Sequence, residues 1–230
     1  MAAHRRKRFG ALALVTCLTL AGASGVALAA TWQGVTSGNY SDPARWDTLI
    51  VPCGSGDDAT FPDGAYTVTI DTTCSIATLS LGNSVTLQVT SSNSLTVSGA
   101  ATVFGSLKAT AVGGTLSILN AAFPGATGTQ SIHASSGGSI VLSGTTSMTP
   151  PVSGSAIIDI DLTGGGSLSL ASLAMISGTG GYTVIDVHAG STLSLPGLTT
   201  AEDVQFRVNG GGQIHANGSL PLGVSTTGIP

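Results

Sequence analysis

Positive charge is nearly absent from this chain beyond its opening segment. Past residue 29 only Arg45, Lys108 and Arg207 are cationic, against ten Asp and one Glu, a formal balance of −8. Tight binding to a phosphate backbone needs several Lys or Arg contacts, so nucleic acid is excluded as a partner and anionic membrane surfaces are disfavoured. Charged residues of either sign are only 8% of the chain and aromatics 4%. Lys and Glu, which dominate disordered and helical sequences alike, are scarce. What fills the chain instead is Val, Ile, Leu, Ser, Thr and Gly. β-branched residues punctuated by glycine read as many short strands joined by turns.

The segment Met1–Ala29 differs from the rest. A basic cluster, His4-Arg5-Arg6-Lys7-Arg8, leads into an apolar run from Phe9 to about Leu20, and small residues follow to Ala27-Leu28-Ala29. A charged start, an apolar stretch and a small-x-small end form the layout of a secretory signal, with cleavage expected after Ala29. The apolar run is shorter than the ~20 residues a membrane span needs, and no transmembrane segment is expected after the cut. Arg5-Arg6 lacks the rest of a twin-arginine motif, and Thr16 before Cys17 disfavours a lipoprotein reading. The expected location is extracellular or in the cell envelope.

Two cysteines lie beyond the signal, Cys53 and Cys74. An even pair in an exported chain reads as a disulfide. A metal site is the weaker alternative, because there is no C-x-x-C and no histidine close by.

The rest of the chain repeats. Ser/Thr alternates with aliphatic residues in Ser94-Leu95-Thr96-Val97, Thr115-Leu116-Ser117-Ile118, Ser139-Ile140-Val141-Leu142, Ser167-Leu168-Ser169-Leu170, Thr192-Leu193-Ser194-Leu195 and, degenerately, Gln213-Ile214-His215-Ala216. The first aliphatic residues of the copies are Leu95, Leu116, Ile140, Leu168, Leu193 and Ile214, set at unequal intervals. Each interval falls within about 20–30 residues, which suits one coil of a β-solenoid with aliphatic side chains inward and hydroxyls outward. Second strands recur between the copies, as in Ile157–Asp161, Val184–Val187 and Val204–Val208, with glycine runs at the corners. The expected fold is all-β: a right-handed single-stranded parallel β-helix with an N-terminal cap. Residues 30–82 form the cap and first coils, and residues 83–230 the remaining coils. The competing architecture is an antiparallel β-sandwich.

Residues 32–82 have a texture of their own. Trp32 is followed by Gly38-Asn39-Tyr40-Ser41-Asp42-Pro43-Ala44-Arg45-Trp46, then Val51-Pro52, Gly56-Asp57-Asp58-Ala59-Thr60-Phe61, Gly64, Tyr66-Thr67-Val68-Thr69-Ile70-Asp71 and Leu79-Ser80-Leu81-Gly82. This order resembles the opening of G8-type β-helix modules and is similar to a related repeat in large bacterial surface and autotransporter-like proteins. The resemblance covers about a quarter of the processed chain. Phe61 stands where an aliphatic residue is commoner, and the Cys53/Cys74 pair is not a general feature of such modules. The resemblance implies a β-helix and an extracellular or envelope location, and transfers no activity.

Candidate functional residues are few. Trp32 and Trp46, with Phe61, are expected to plug the open end of the first coil, with carbohydrate stacking as the alternative role for the two indoles. Asp57, Asp58 and Asp63 suit turns, and are also weak candidates for calcium. Asp159, Asp161 and Asp186 fall on strands of successive coils. Paired carboxylates there would serve acid/base work on a glycoside. His133, His188 and His215 would join a Ser-His-Asp site only if folding gathered the partners. No G-x-S-x-G, P-loop or dinucleotide fingerprint is present, no catalytic set is assigned and no cofactor is implied. The outward Ser/Thr residues would form a flat hydroxyl array if the copies stack. The expected function is that of a secreted or cell-surface structural or binding protein, adhesin-like, facing an extracellular polysaccharide or a cell-surface component. The alternative is a carbohydrate-active β-helix enzyme using an Asp pair.

Overall fold

The computed structural model describes residues 27–152, 156–178 and 180–217. The expected signal lies almost wholly outside them. Apart from one 3₁₀ turn at Pro43–Arg45, every described element is a strand. Every described strand pairing is parallel; the single antiparallel contact is an isolated bridge between Trp32 and Trp46. The chain therefore winds as a parallel β-solenoid, and the antiparallel sandwich is excluded.

Each full coil lays down strands on three faces. The first face carries Cys74–Ile76, the start of Ser94–Val103, the start of Thr115–Ala122, then Ser139–Val141, Ser167–Ser169, Thr192–Leu195 and Gln213–Ala216. The second face begins with Ala29–Thr31, Asp58–Phe61 and Thr78–Leu81 and passes through the ends of the two long strands. It resumes as the three-stranded sheet of Ser147–Met148, Met175–Ile176 and Thr200–Ala201. The third face is one eight-stranded sheet: Gly38–Asn39, Thr67–Ile70, Thr86–Val89, Ser106–Ala109, Gln130–Ala134, Ile157–Leu162, Tyr182–Val187 and Val204–Val208.

The repeat register of the sequence is the register of the first face. Leu95 pairs with Leu116, Leu116 with Ile140, Ile140 with Leu168, Leu168 with Leu193, and Leu193 with Ile214. The first five are fully buried and Ile214, on the last described rung, is partly so. Alternation does this: with a period of two, one residue in two must face the core, and a slip of one would bury the hydroxyls instead. Unequal steps are absorbed at the corners. The longest insertions, after Phe123 and between Met148 and Ile157, leave both neighbouring ladders in register. Corners with little room use glycine. A side chain at Gly138 would run into the Ala109 carbonyl and one at Gly166 into that of Ala134, each on the coil before. Most of the buried apolar side chains form one cluster from Ala30 to Leu198.

The open end of the first coils is filled by aromatic rings. Trp46 lies 5.3 Å from Trp32 edge-on, 5.1 Å from Tyr40 and 5.4 Å from Phe61, ring centre to ring centre. Polar tips are satisfied at the periphery: Trp46 Nε1 donates to the Tyr40 carbonyl at 2.9 Å and the Tyr40 hydroxyl to the Pro52 carbonyl at 2.6 Å. Cys53 and Cys74 are disulfide-bonded, with Cα atoms 4.8 Å apart, and tie the loop beyond Trp46 to the first-face ladder.

Truncating Leu168 to Ala should cost about 2–5 kcal/mol in denaturant unfolding, the range for a buried leucine. The outward neighbour change Ser169→Ala should cost less than about 0.5 kcal/mol. Equal costs would mean that the inward and outward sets are misassigned.

Candidate functional site

The sequence-predicted residues of the N-terminal part have structural surroundings. Trp32 and Trp46 are 1% and 0% exposed. A sugar ring has no access to either indole, so the carbohydrate-stacking role is corrected: the apolar rings are consumed by packing against each other. Asp57 receives three backbone N–H groups, from Leu28 at 2.9 Å, Cys53 at 3.0 Å and Gly54 at 2.7 Å. Burial alone would raise its pKa, but these donors outweigh it and hold the carboxyl below its ordinary value. Asp58 accepts from Thr78 Oγ1 at 2.6 Å, and Asp63 from the Asn83 backbone at 2.7 Å. The three carboxylates are thus occupied one by one in loop and ladder contacts. Among the described residues no three His, Cys, Asp or Glu side chains come together as a metal-ligand set.

The third face gathers what the sequence leaves scattered. Its outward residues form a column in which Lys108 pairs with His133, His133 with Asp161, Asp161 with Asp186, and Asp186 with Arg207. Neighbours in such a column stand about 4.8 Å apart along the axis. Asp159 lies one strand-period before Asp161 on the same face, beside Ser131 and Val184 on the flanking strands. His188 follows the strand Tyr182–Val187 at the corner and returns to the same carboxylate. His133 Nδ1 is 3.1 Å from Asp161 Oδ2, and His188 Nε2 is 3.6 Å from Asp161 Oδ1. Asp161 Oδ1 is occluded from solvent yet has no hydrogen-bond donor among the described residues. Arg207 Nη1 lies 3.4 Å from Asp186 Oδ2, and its Nη2 donates to Gln205 Oε1 at 2.6 Å. Tyr182, one strand-period before Val184, is 43% exposed beside this patch.

Crowding has an electrostatic consequence at Asp159. Burial raises its pKa, and the charges of Asp161 and Asp186 raise it further; His133 and Arg207 pull the other way without prevailing. One carboxyl that holds its proton more tightly therefore lies beside two others. Such an arrangement presents several hydrogen-bond acceptors at adjacent positions. His215 lies elsewhere, paired with Ser194 on the first face, and takes no part.

The sequence held a signal for this column. The step from His133 to Asp161 equals that from Ile140 to Leu168. Likewise Asp161 to Asp186 matches Leu168 to Leu193, and Asp186 to Arg207 matches Leu193 to Ile214. Carrying the first-face steps over to the second strands would have placed all four side by side.

The first face is chemically different. Its two outward columns are Ser94, Thr115, Ser139, Ser167 and Thr192, and Ser75, Thr96, Ser117, Val141, Ser169 and Ser194. Stacking brings adjacent hydroxyls within reach, as with Ser167 Oγ donating to Ser139 Oγ at 3.1 Å. Only Val141 interrupts the array before Gln213 and His215 end it.

Compared with known proteins, the chain matches no family model, no curated protein and no solved structure. Among the described residues no helix is long and apolar enough to cross a membrane.

Two pH effects of opposite sign follow. Asp159, with its pKa raised on folding, costs stability when ionised. Stability is greater below the unfolded-state value of about 3.9 and falls as pH rises through the folded value. Asp159→Asn should remove that fall and raise the melting temperature at neutral pH. Asp57 is the reverse case: its contribution is present above about pH 3.9 and is lost as pH falls through its lowered folded value. Asp57→Asn should lower the melting temperature at neutral pH and flatten the acid limb. Thermal unfolding of the two variants across the acidic range checks both signs.

Proposed function

We propose that this chain acts outside the cytoplasm as an adhesin-like β-helix, and that its ligand is an extracellular polysaccharide or a cell-surface glycan lying along the third face. The observation that carries this reading is the combination of exposed Tyr182 with Asp159, Asp161, Asp186, His133 and His188 on one continuous patch. A pyranose offers an apolar face and a rim of hydroxyls; an aromatic ring serves the first and a row of carboxylates and imidazoles the second. The three-part layout of residues 1–29, the Cys53–Cys74 disulfide and the resemblance of residues 32–82 to G8-type surface modules support an envelope or extracellular setting.

A second reading is favoured by one specific observation, the raised pKa of Asp159 next to Asp161 and Asp186. A protonated Asp159 would give its proton to a glycosidic oxygen as the C–O bond breaks, while Asp161 or Asp186 would take a proton from the attacking water. Asp159 and Asp161 are successive outward residues of one strand, with Cα atoms about 6.7 Å apart, and the enzymatic reading requires their carboxyl groups to admit a water between them.

Binding of the exported chain to xylan, laminarin, polygalacturonate and peptidoglycan, measured by calorimetry, tests the first reading. At least one should bind, and Tyr182→Ala and Asp161→Asn should each weaken it about tenfold, or ~1.4 kcal/mol. Absence of binding to all four, or binding indifferent to both changes, removes the reading. Release of reducing ends from the bound polymer, lost in Asp159→Asn with binding retained, would select the enzymatic reading.

A further inference from the structure

The second face has a gap of its own, apart from the third-face patch. Beyond the corner, Thr115–Ala122 pairs on one side with the coil before it, through Asn120 with Ala100, Ala121 with Ala101 and Ala122 with Thr102. On its other side the next coil leaves the first face after Leu142 and rejoins the second face only at Ser147–Met148. Between these two coils the described second-face contacts are the bridge from Phe123 to Met148, the Thr149 N–H on the Phe123 carbonyl at 3.2 Å, and Thr145 Oγ1 on the Ala121 carbonyl at 3.0 Å. The ladder is splayed there, and the space between its edges is a cavity of about 310 Å³.

The cavity's lining has a definite chemistry. Ala122 and Pro124, both exposed, give it apolar surface above buried Ala121 and Phe123, while exposed Asn120, Thr146 and Ser147 and half-buried Thr149 supply an amide and three hydroxyls. No ionisable side chain lines it. The Asn120 carboxamide is held close against Gly144, where an added Cβ would collide with its oxygen and with the Leu119 carbonyl.

We propose that this cavity is a binding site for a neutral mono- or disaccharide. The exposed apolar surface of Ala122 and Pro124, with several uncharged donors and acceptors beside it, matches a sugar ring's apolar face and hydroxyl edge. An anionic sugar would find no cation, and a cationic one no carboxylate. A purely apolar ligand would strip water from four polar groups without replacing their hydrogen bonds. The volume lies at the lower end of small-molecule sites, about 300–1,000 Å³, which limits the occupant to one or two rings. None of the lining residues belongs to the third face, so this site stands or falls separately from the polysaccharide reading.

Amide NMR titration of the exported chain decides it. The probes are glucose, galactose, N-acetylglucosamine, cellobiose and maltose, with glucuronate and glucosamine as charged comparisons and butanol as an apolar one. At least one neutral sugar should shift the amides of Asn120–Phe123 and Ser147–Thr149 saturably within tens of millimolar. Ser147→Trp, at an exposed position where the ring would fill the cavity, should weaken that binding at least about tenfold. Thr146→Phe provides a second block should the first disturb folding, and Tyr182→Ala should leave the affinity unchanged. No saturable shift from any neutral sugar overturns the proposal. So do tighter binding of glucuronate, glucosamine or butanol, and binding indifferent to both filling variants.

Discussion

Coil-to-coil pairing in parallel register is the constraint on which everything else in this molecule depends. Each strand finds hydrogen-bond partners only on the coils above and below, so a coil cannot be stable alone and its inward row must fall on the inward rows of its neighbours. The ladder from Leu95 to Ile214 satisfies this although successive coils differ in length. The variation is tolerated because insertions leave the stack at corners, where chain length is not tied to the ladder.

A stack of this kind has ends, and an end exposes unpaired backbone and apolar core. At the N-terminal end the chain answers with aromatic residues, only 4% of its composition. Trp32, Tyr40, Trp46 and Phe61 are packed ring to ring over the first coils, and the Cys53–Cys74 bond and the Asp57 carboxylate pin the loops that hold them. Aromatic rings suit this because each covers a large apolar area with few rotatable bonds. The same packing removes both tryptophans from any contact with ligand.

Stacking also turns sequence separation into adjacency, and this creates the chemistry of the third face. His133 and Asp161 belong to different coils and share a hydrogen-bonding distance. Burial first, and then the neighbouring charges of Asp161 and Asp186, raise the pKa of Asp159 there. The first face, built by the same rule from Ser and Thr, carries no such charge. One winding therefore presents a charged surface and an uncharged one.

Much of the fold was legible in the sequence, because inward burial on a strand depends only on alternation, and alternation is a local property. The class, the ladder from Leu95 to Ile214 and the pairing of Cys53 with Cys74 all follow from local pattern and from the count of cysteines. Which face each second strand occupies is not local. The return of His188 to the Asp161 carboxylate, the choice between capping and sugar stacking for Trp32 and Trp46, and the individual partners of Asp57, Asp58 and Asp63 were therefore decided by tertiary structure. The splayed edge at Asn120–Ala122 belongs to the same class, since a gap in a ladder depends on where the next coil returns. The sequence by itself determined what points inward and how often the chain turns. Only the stacked coils decided which outward side chains meet, because adjacency along the axis is set by the sum of every corner between them.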